Sequence, residues 1–442
     1  MRKTLLLSLL IQFNSLCFAQ IKSGPMLGYS EMREVLLWVQ TEKADFVKFG
    51  YWEKDKPSLK FFTEEILTNK SQAFVAKIIA DQVYPGKKYE YEVYVNKKKI
   101  VRNYPLEFQT QTLWQYRTDP PNFKFAVGSC TYTNEPEFDR PGSPYGKSLG
   151  IFNKIYDQKP NFMVWGGDNI YLREVDWYTR TGINHRYTEF RKQKELQPLW
   201  GSVHHYAIWD DHDFGPNDSD RSFWGKNLTL DIFKNFWGNL NYVFKDEGVT
   251  GTFMWEDCQF FLLDNRYFRA PNEIIDENKD YFGEKQLNWL IESLRNSSAP
   301  FKFVVTGGQI VNEAKVFENM SNYPGERNKL LKKLEENKIS GVLFISGDRH
   351  HTNLQKMERK DNYPLYDLTI SPLTSSAGKP VEEEYKTKTI IEGTELNNSQ
   401  AFGIMEVSGK RTDRILKINV FDGDVTKKWD YTINARDLRA KQ

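Results

Sequence analysis

Six apolar stretches in the last three quarters of the 442-residue chain run straight into residues that can do chemistry. Phe125-Ala126-Val127 leads to Gly128-Ser129-Cys130, Phe162-Met163-Val164-Trp165 to Gly166-Gly167-Asp168-Asn169, and Tyr206-Ala207-Ile208-Trp209 to Asp210-Asp211-His212-Asp213. Phe260-Phe261-Leu262-Leu263 ends on Asp264-Asn265-Arg266, Phe303-Val304-Val305-Thr306 on Gly307-Gly308-Gln309, and Val342-Leu343-Phe344-Ile345-Ser346 on Gly347-Asp348-Arg349-His350-His351. Gathering Asp168, Asp210, Asp211, Asp213 and Asp348 in one water-poor pocket is costly unless positive charge sits among them. Metal ions meet that need. Carboxylates suit hard cations, imidazole adds affinity for a transition metal, and the Cys130 thiolate favours a softer or redox-active one.

Histidine usage points the same way. Of six histidines, His204, His205, His212, His350 and His351 lie at or just before two of these strand ends. His204 and His205 precede their strand and read as packing residues, and His185 reads as a helix-face residue. Cys258, set among apolar neighbours, reads as strand core.

To bring six strand ends together, the chain must form a layered α/β sheet, in which ligands bind beyond the carboxyl ends of the strands. The helical pattern fits that frame: Leu287, Leu290, Ile291 and Leu294 share one helix face ahead of the strand "FKFVVTGGQ", and "ERNKLLKKLEENK" repeats the arrangement before "GVLFISGDRHH". The preceding region differs. Residues 20 to about 115 carry short β-branched and aromatic runs, "VLLWVQ", "FVKFGYW", "FVAKIIA" and "YEYEVYV", separated by turns. They predict an immunoglobulin- or fibronectin-like β-sandwich. The two prolines of "YRTDPPNF" mark its end, so residues 116–442 form the second domain.

Residues 1–19 read as a signal peptide: Arg2 and Lys3, an apolar run from Leu5 to Ile11, and Cys17-Phe18-Ala19 before Gln20. The apolar run is well short of the ~20 residues a membrane-spanning helix needs, and bulky Leu16 argues against lipid attachment at Cys17. The expected product is therefore exported, periplasmic or secreted, with no transmembrane anchor after cleavage. Without Arg2 and Lys3 the formal charge of +2 falls to zero, which argues against a nucleic-acid-binding surface. Oligomeric state is left open.

The ordered set Gly128-Ser129-Cys130, Gly167-Asp168-Asn169-Ile170-Tyr171, Trp209-Asp210-Asp211-His212-Asp213 and Gly347-Asp348-Arg349-His350 resembles PhoD-like alkaline phosphatases of the metallophosphatase superfamily. Leu263-Asp264-Asn265-Arg266 and Val305-Thr306-Gly307-Gly308-Gln309 are secondary matches, and the likeness covers roughly residues 20 to 430. The resemblance implies a four-layer metallophosphatase-like α/β sandwich behind an all-β domain. It also implies Fe(III) paired with calcium, zinc, manganese or magnesium being the alternatives. Cys130, Asp168, Tyr171 and His350 would hold the iron, with Asp168 bridging. Asp211 and Asp348, with Asp210 or Asn217 alongside, would hold calcium, and His212 would lie beside the reacting phosphate. The acidic motif departs from the family pattern, with His212-Asp213 for His-Glu and Asn217-Asp218 for Asn-Asn.

The chemistry expected is phosphate-ester hydrolysis. Paired metals lower the pKa of bound water and clamp the phosphoryl oxygens, giving a hydroxide that attacks phosphorus in line. Asp211 would serve at the reacting centre and His212 would orient the phosphate or protonate the leaving alkoxide. Arg266 and Arg173 are candidate phosphate clamps, because guanidinium matches phosphate oxygens bidentately, and both read equally as structural ion pairs. Two other readings share the same residues: a phospholipase-type phosphodiesterase, and an exported binding protein whose metals are structural.

Overall fold

The computed structural model describes residues 21–441, so the expected signal peptide, Cys17 included, lies outside the described residues. The first region is all β: β1 (Ile21–Ser30), β2 (Val35–Thr41), β3 (Phe46–Glu53), β4 (Phe61–Phe62), β5 (Ile66–Leu67), β6 (Val75–Ala80), β7 (Lys88–Val95), β8 (Lys98–Ile100) and β9 (Glu107–Gln109). In β7 every second residue, Tyr89, Tyr91, Val93 and Val95, is buried, the two-residue period of a strand with one face on a core. That face closes with Leu27, Leu37, Val39, Ala76 and Ile78 from β1, β2 and β6. Two β layers therefore enclose one apolar core.

The remainder alternates. It runs β10 (Phe123–Gly128), α1 (Ile151–Asp157), β11 (Phe162–Gly166), α2 (Arg180–Arg191), α3 (Gln197–Ser202), β12 (His204–Ile208), α4 (Asp211–Phe214) and α5 (Lys226–Phe236). The chain then forms β13 (Gly251–Trp255), β14 (Cys258–Leu262), α6 (Glu284–Asn296), β15 (Lys302–Val305), α7 (Pro324–Glu336), β16 (Val342–Ser346), β17 (Asn353–Met357) and β18 (Leu365–Thr369). It closes with α8 (Glu382–Lys386), β19 (Ala401–Ser408), β20 (Ile415–Asp422) and β21 (Lys427–Asn434).

These strands build two sheets. The first has the order β21-β20-β19-β10-β11-β12-β1-β2-β6 and the second β13-β14-β15-β16-β18-β17. Within them β10, β11 and β12 run parallel, as do β14, β15, β16 and β18. Strands covered on both faces must be apolar throughout, and β11, β12 and β16 are buried at every position. The sheets meet through aromatic rings: Phe125 of the first meets Phe260 and Phe303 of the second edge-on at 5.1 and 5.2 Å, and Phe162 meets Phe260 at 5.3 Å. Each such ring contributes about 1.5–3 kcal/mol by burial. Outside the first sheet, Phe152 of α1, Tyr187 of α2, Trp200 of α3 and Phe233 of α5 pack with Met163, Trp165 and Ala207. Outside the second, Leu287, Leu290, Ile291 and Leu294 of α6 join Leu330 and Leu334 of α7. The result is helix, sheet, sheet, helix.

The β-sandwich is continuous with these layers. Leu27 of β1 pairs with His204 of β12 in parallel register, so one sandwich layer extends the nine-stranded sheet. His204 seals the junction: its Nδ1 lies 2.9 Å from Gly28 O, and its Nε2 accepts from Gln109 N at 3.3 Å. His205 is equally structural, accepting at Nδ1 from Trp165 Nε1 (3.0 Å) and placing Nε2 3.1 Å from Leu199 O. Cys130 and Cys258 are both free and buried, Cys258 in the core of β14. Among the described residues no helix is long and apolar enough to cross a membrane.

Candidate metal centre

The parallel strands deliver their carboxyl ends to one edge, where the backbone turns sharply. Cys130, Asp168, Asp348 and His350 all have left-handed φ values, 58°, 51°, 61° and 54°. A non-glycine residue adopts this region at a cost, of order 1–3 kcal/mol, that its surroundings must hold in place. The neighbouring loops do so: Cys130 N donates to Gly167 O (3.2 Å), Thr131 N to Asp168 O (2.7 Å), and His350 N to Ser371 Oγ (2.9 Å). Turning the chain at these points aims the side chains inward.

Two donor groups result. In the first, donor atoms of Cys130, Asp168 and His350 all lie within 4.8 Å of one another. The Tyr171 hydroxyl joins them, 3.2 Å from Asp168 Oδ2 and 3.1 Å from His350 Nε2, and Ser371 Oγ donates to Cys130 Sγ at 3.1 Å. The second is all oxygen: Asp210, Asp211 and Asp348 meet the same 4.8 Å limit. Asp168 also groups with Asp211 and His212, and Asp211 with Asp218 and Glu318. Asp168 and Asp211 thus tie a mixed sulfur, nitrogen and oxygen site to a hard one.

Electrostatics show what such a site demands. Burial, then repulsion from Asp211, Asp210, Asp213 and Asp348, pushes the Asp168 carboxyl far up. Asp348 is raised by burial and by Asp210. Asp210 rises to about 6 because burial outweighs the help of Arg266. Asp211 goes the other way: burial opposes its ionisation, but His212, Arg266 and the Asp218 N–H together hold it below the ordinary range. Buried Asp210 Oδ2 and Asp211 Oδ1 accept no hydrogen bond. Unmet carboxylate oxygens converging from separate strands, with thiol, phenol and imidazole beside them, fit cations.

Gly307 shows the space is shaped for this. A Cβ there would overlap Asp210 Oδ2 and stand 2.6 Å from Asn265 Nδ2, while Asn265 and Arg266 pin the same carboxylate. Gly307→Ala is expected to swing Asp210 out and weaken metal retention by roughly 10–100-fold, the range for a mispositioned ligand shell. Metal content after gel filtration checks this, and full retention would show the carboxylate free to move.

Other expected residues take different places. The Asp210–Asp213 run forms a capping box on α4. Asp213 is spent there: its carboxylate accepts from Asn169 N (3.0 Å), Asn169 Nδ2 (3.1 Å) and Asp210 N (3.2 Å). Asn217 is exposed; the next residue, Asp218, takes a left-handed φ of 60° and brings its carboxylate to Asp211 and Glu318. Arg266 does not face solvent as a phosphate clamp would. It is fully buried, with Nε on Asp210, Nη1 2.8 Å from Glu318 Oε1, Nη2 also on Glu318, and Asp211 Oδ1 at 3.7 Å. Arg173 is likewise committed, to Asp139 (2.7 Å) and Thr133 O (2.8 Å), over the ring of Tyr132. His212 keeps 22% of its side chain exposed, its ring 4.1 Å from that of Tyr171 and Nε2 4.0 Å from Asp211 Oδ2. Burial lowers its pKa against the pull of Asp211.

Glu318 and Ser371 went unread in the sequence. Ser371 follows the buried strand β18, where the run "LYDLTI" is interrupted by Asp367 and Thr369 and so gives a weaker signal than the six apolar runs. Glu318 sits in a loop after no such run and carries none.

Residues 246–415 match the family model of the PhoD-like phosphatases. A solved structure of PhoD has a TM-score of 0.74 at 14% identity, over 93% of this chain and 92% of that one. A Vps29 double mutant from Entamoeba histolytica matches at a TM-score of 0.27 and 10% identity, over 70% of this chain and 98% of that one. The sensor domain of the anti-sigma factor RsgI4 of Pseudobacteroides cellulosolvens matches at 0.19 and 15%, over 22% and 76%. No curated protein matches by sequence. The likeness to PhoD spans the N-terminal β region and the α/β layers together, and the mixed α/β fold that the resemblance implies is the fold found.

Proposed function

We propose that this chain, a PhoD-like phosphatase by its matched residues 246–415 and its fold, and so a phosphoric ester hydrolase, is an exported enzyme that depends on two classes of metal. The observation that carries the reading is the Asp168–Asp211–His212 group, which links Asp168 of the Cys130–His350 group to Asp211 of the Asp210–Asp348 group. Iron(III) suits the first group, with its thiol, phenol, imidazole and carboxylate, and calcium the second, built of carboxylates alone. Bound there, cations would supply a nucleophile at neutral pH and draw charge from the phosphoryl oxygens.

The chain's own groups do the rest. Asp168 holds the two halves at one spacing. Arg266 holds Asp210 and Glu318 in place and opposes the rise that burial imposes on the Asp210 carboxyl. His212, part exposed at the rim with Nε2 4.0 Å from Asp211 Oδ2, offers an N–H to a phosphoryl oxygen, and in its protonated form can pass a proton to the leaving alkoxide and become neutral. Export follows from residues 1–19 as read in the sequence.

One observation favours a bulky ester, as in a phosphodiester. Of the aromatic residues between β11 and β13, Tyr187, Trp200 and Trp237 are core, but Trp224 is 72% and Tyr178 48% exposed, stacked at 5.2 Å. Phe223 carries them, packing on Phe214 of α4.

Metal analysis with parallel assays on a phosphomonoester, a phosphodiester and a phospholipid tests the function and separates the ester classes. His212→Ala is expected to retain metal and fold while losing about 10²–10⁴-fold in rate, the span of general acid–base catalysis. An unchanged rate would remove His212 from the chemistry.

A further inference from the structure

We infer that Tyr145 is a positioning residue for the metal centre, its hydroxyl oxygen accepting the His350 Nδ1 proton and so fixing the tautomer that leaves Nε2 free to bind a metal. This rests on the metal-centre reading above. The His350 backbone is already clamped: its φ is left-handed, its N–H donates to Ser371 Oγ at 2.9 Å, and its carbonyl accepts from Gly378 N at 2.7 Å. What remains is the ring, and each of its nitrogens meets a phenol. Nε2 lies 3.1 Å from the Tyr171 hydroxyl, which reaches Asp168 Oδ2 at 3.2 Å, so this nitrogen faces the ligand cluster. Nδ1 lies 3.3 Å from the Tyr145 hydroxyl.

A ligating nitrogen must be unprotonated, so the imidazole proton resides on the other nitrogen and needs an acceptor. Tyr145 supplies it. The residue belongs to the long loop between β10 and α1 and is held from two sides: Ser376 Oγ donates to its carbonyl at 3.0 Å, and its ring meets Tyr132 edge-on at 4.9 Å and Tyr171 at 6.0 Å. The hydroxyl is therefore presented by a packed ring rather than by a free side chain.

Cobalt(II) serves as the probe, because its visible bands report ligand geometry and its affinity can be read against a competing chelator without any turnover. Tyr145→Phe keeps the ring and removes the acceptor. It is expected to bind cobalt 10–100-fold more weakly than the parent, with altered visible bands and an unchanged melting midpoint of the metal-free protein. Ser376→Ala loosens the loop but spares the hydroxyl, and its affinity is expected to stay within about threefold of the parent, well below the second-shell effect. Parent-like affinity in Tyr145→Phe, or equal losses in both variants, overturns the inference. Cys130→Ser separates the two levels: cobalt binding and bands identical to the parent there would overturn the metal centre itself, whereas its loss beside an unaffected Tyr145→Phe overturns the role of Tyr145 alone.

Discussion

Asp168→Asn is expected to lower phosphate-ester hydrolysis by about 10³-fold or more, on the scale seen when a preorganised charge-stabilising group or metal is lost. It should release metal from both halves of the site together. The substitution preserves shape and removes only the charge shared by the Cys130–His350 group and the Asp211–His212 group. Its second effect has the opposite sign. In chelator-treated protein Asp168 is a buried carboxyl surrounded by Asp211, Asp210, Asp213 and Asp348, all of which raise its pKa. Exchanging it for a neutral amide relieves that repulsion, so the metal-free variant should melt no lower than the metal-free parent, while the metal-loaded parent melts well above both. Thermal melts with and without chelator, beside metal analysis and rate, read all three numbers. A variant that kept both metals and its rate would dissolve the bridging role.

Arg266→Met carries the second large expectation. Removing one partner from a buried ion cluster costs about 3–5 kcal/mol, because the remaining charges stay desolvated. Here the abandoned groups are Asp210 and Glu318, each nearly or fully inaccessible to solvent. For a chain of this size the loss corresponds to a fall of about 3–6 °C in melting temperature, with hydrolysis falling because Asp210 loses its anchor. Arg269, 3.0 Å from Glu318 Oε1, limits the damage on that side. Pairing Arg266→Met with Glu318→Leu should recover part of the stability but not the rate. A phosphate clamp would behave otherwise: Arg266→Lys would raise KM and leave the melting temperature unchanged.

Much of the site was legible in the sequence because its clues are local. A strand that is buried on both faces must be an unbroken apolar run, and a polar cluster directly after it must lie at the sheet's carboxyl edge; Cys130, Asp168, Asp210, Asp211, Asp348 and His350 were all found that way. The α6 face from Leu287 to Leu294 was equally plain, since a 3.6-residue period is written within four turns of chain. Asn217 and Asp218 show the limit of local reading. They are neighbours and both exposed, yet a left-handed turn at Asp218 brings only that carboxylate within reach of Asp211 and Glu318.

By itself, then, the sequence determined the layers, the strand ends and the excess of negative charge that calls for cations. Tertiary structure alone decided that Arg266 faces Glu318, 52 residues away, that β1 extends the catalytic sheet beside β12, and that Tyr145 meets His350 across 205 residues. The reason is physical. Hydrophobic periodicity specifies which face of a segment is buried, but a charge or hydroxyl finds its partner through the packing of whole sheets, and that geometry is a property of the assembled core rather than of any one stretch of chain.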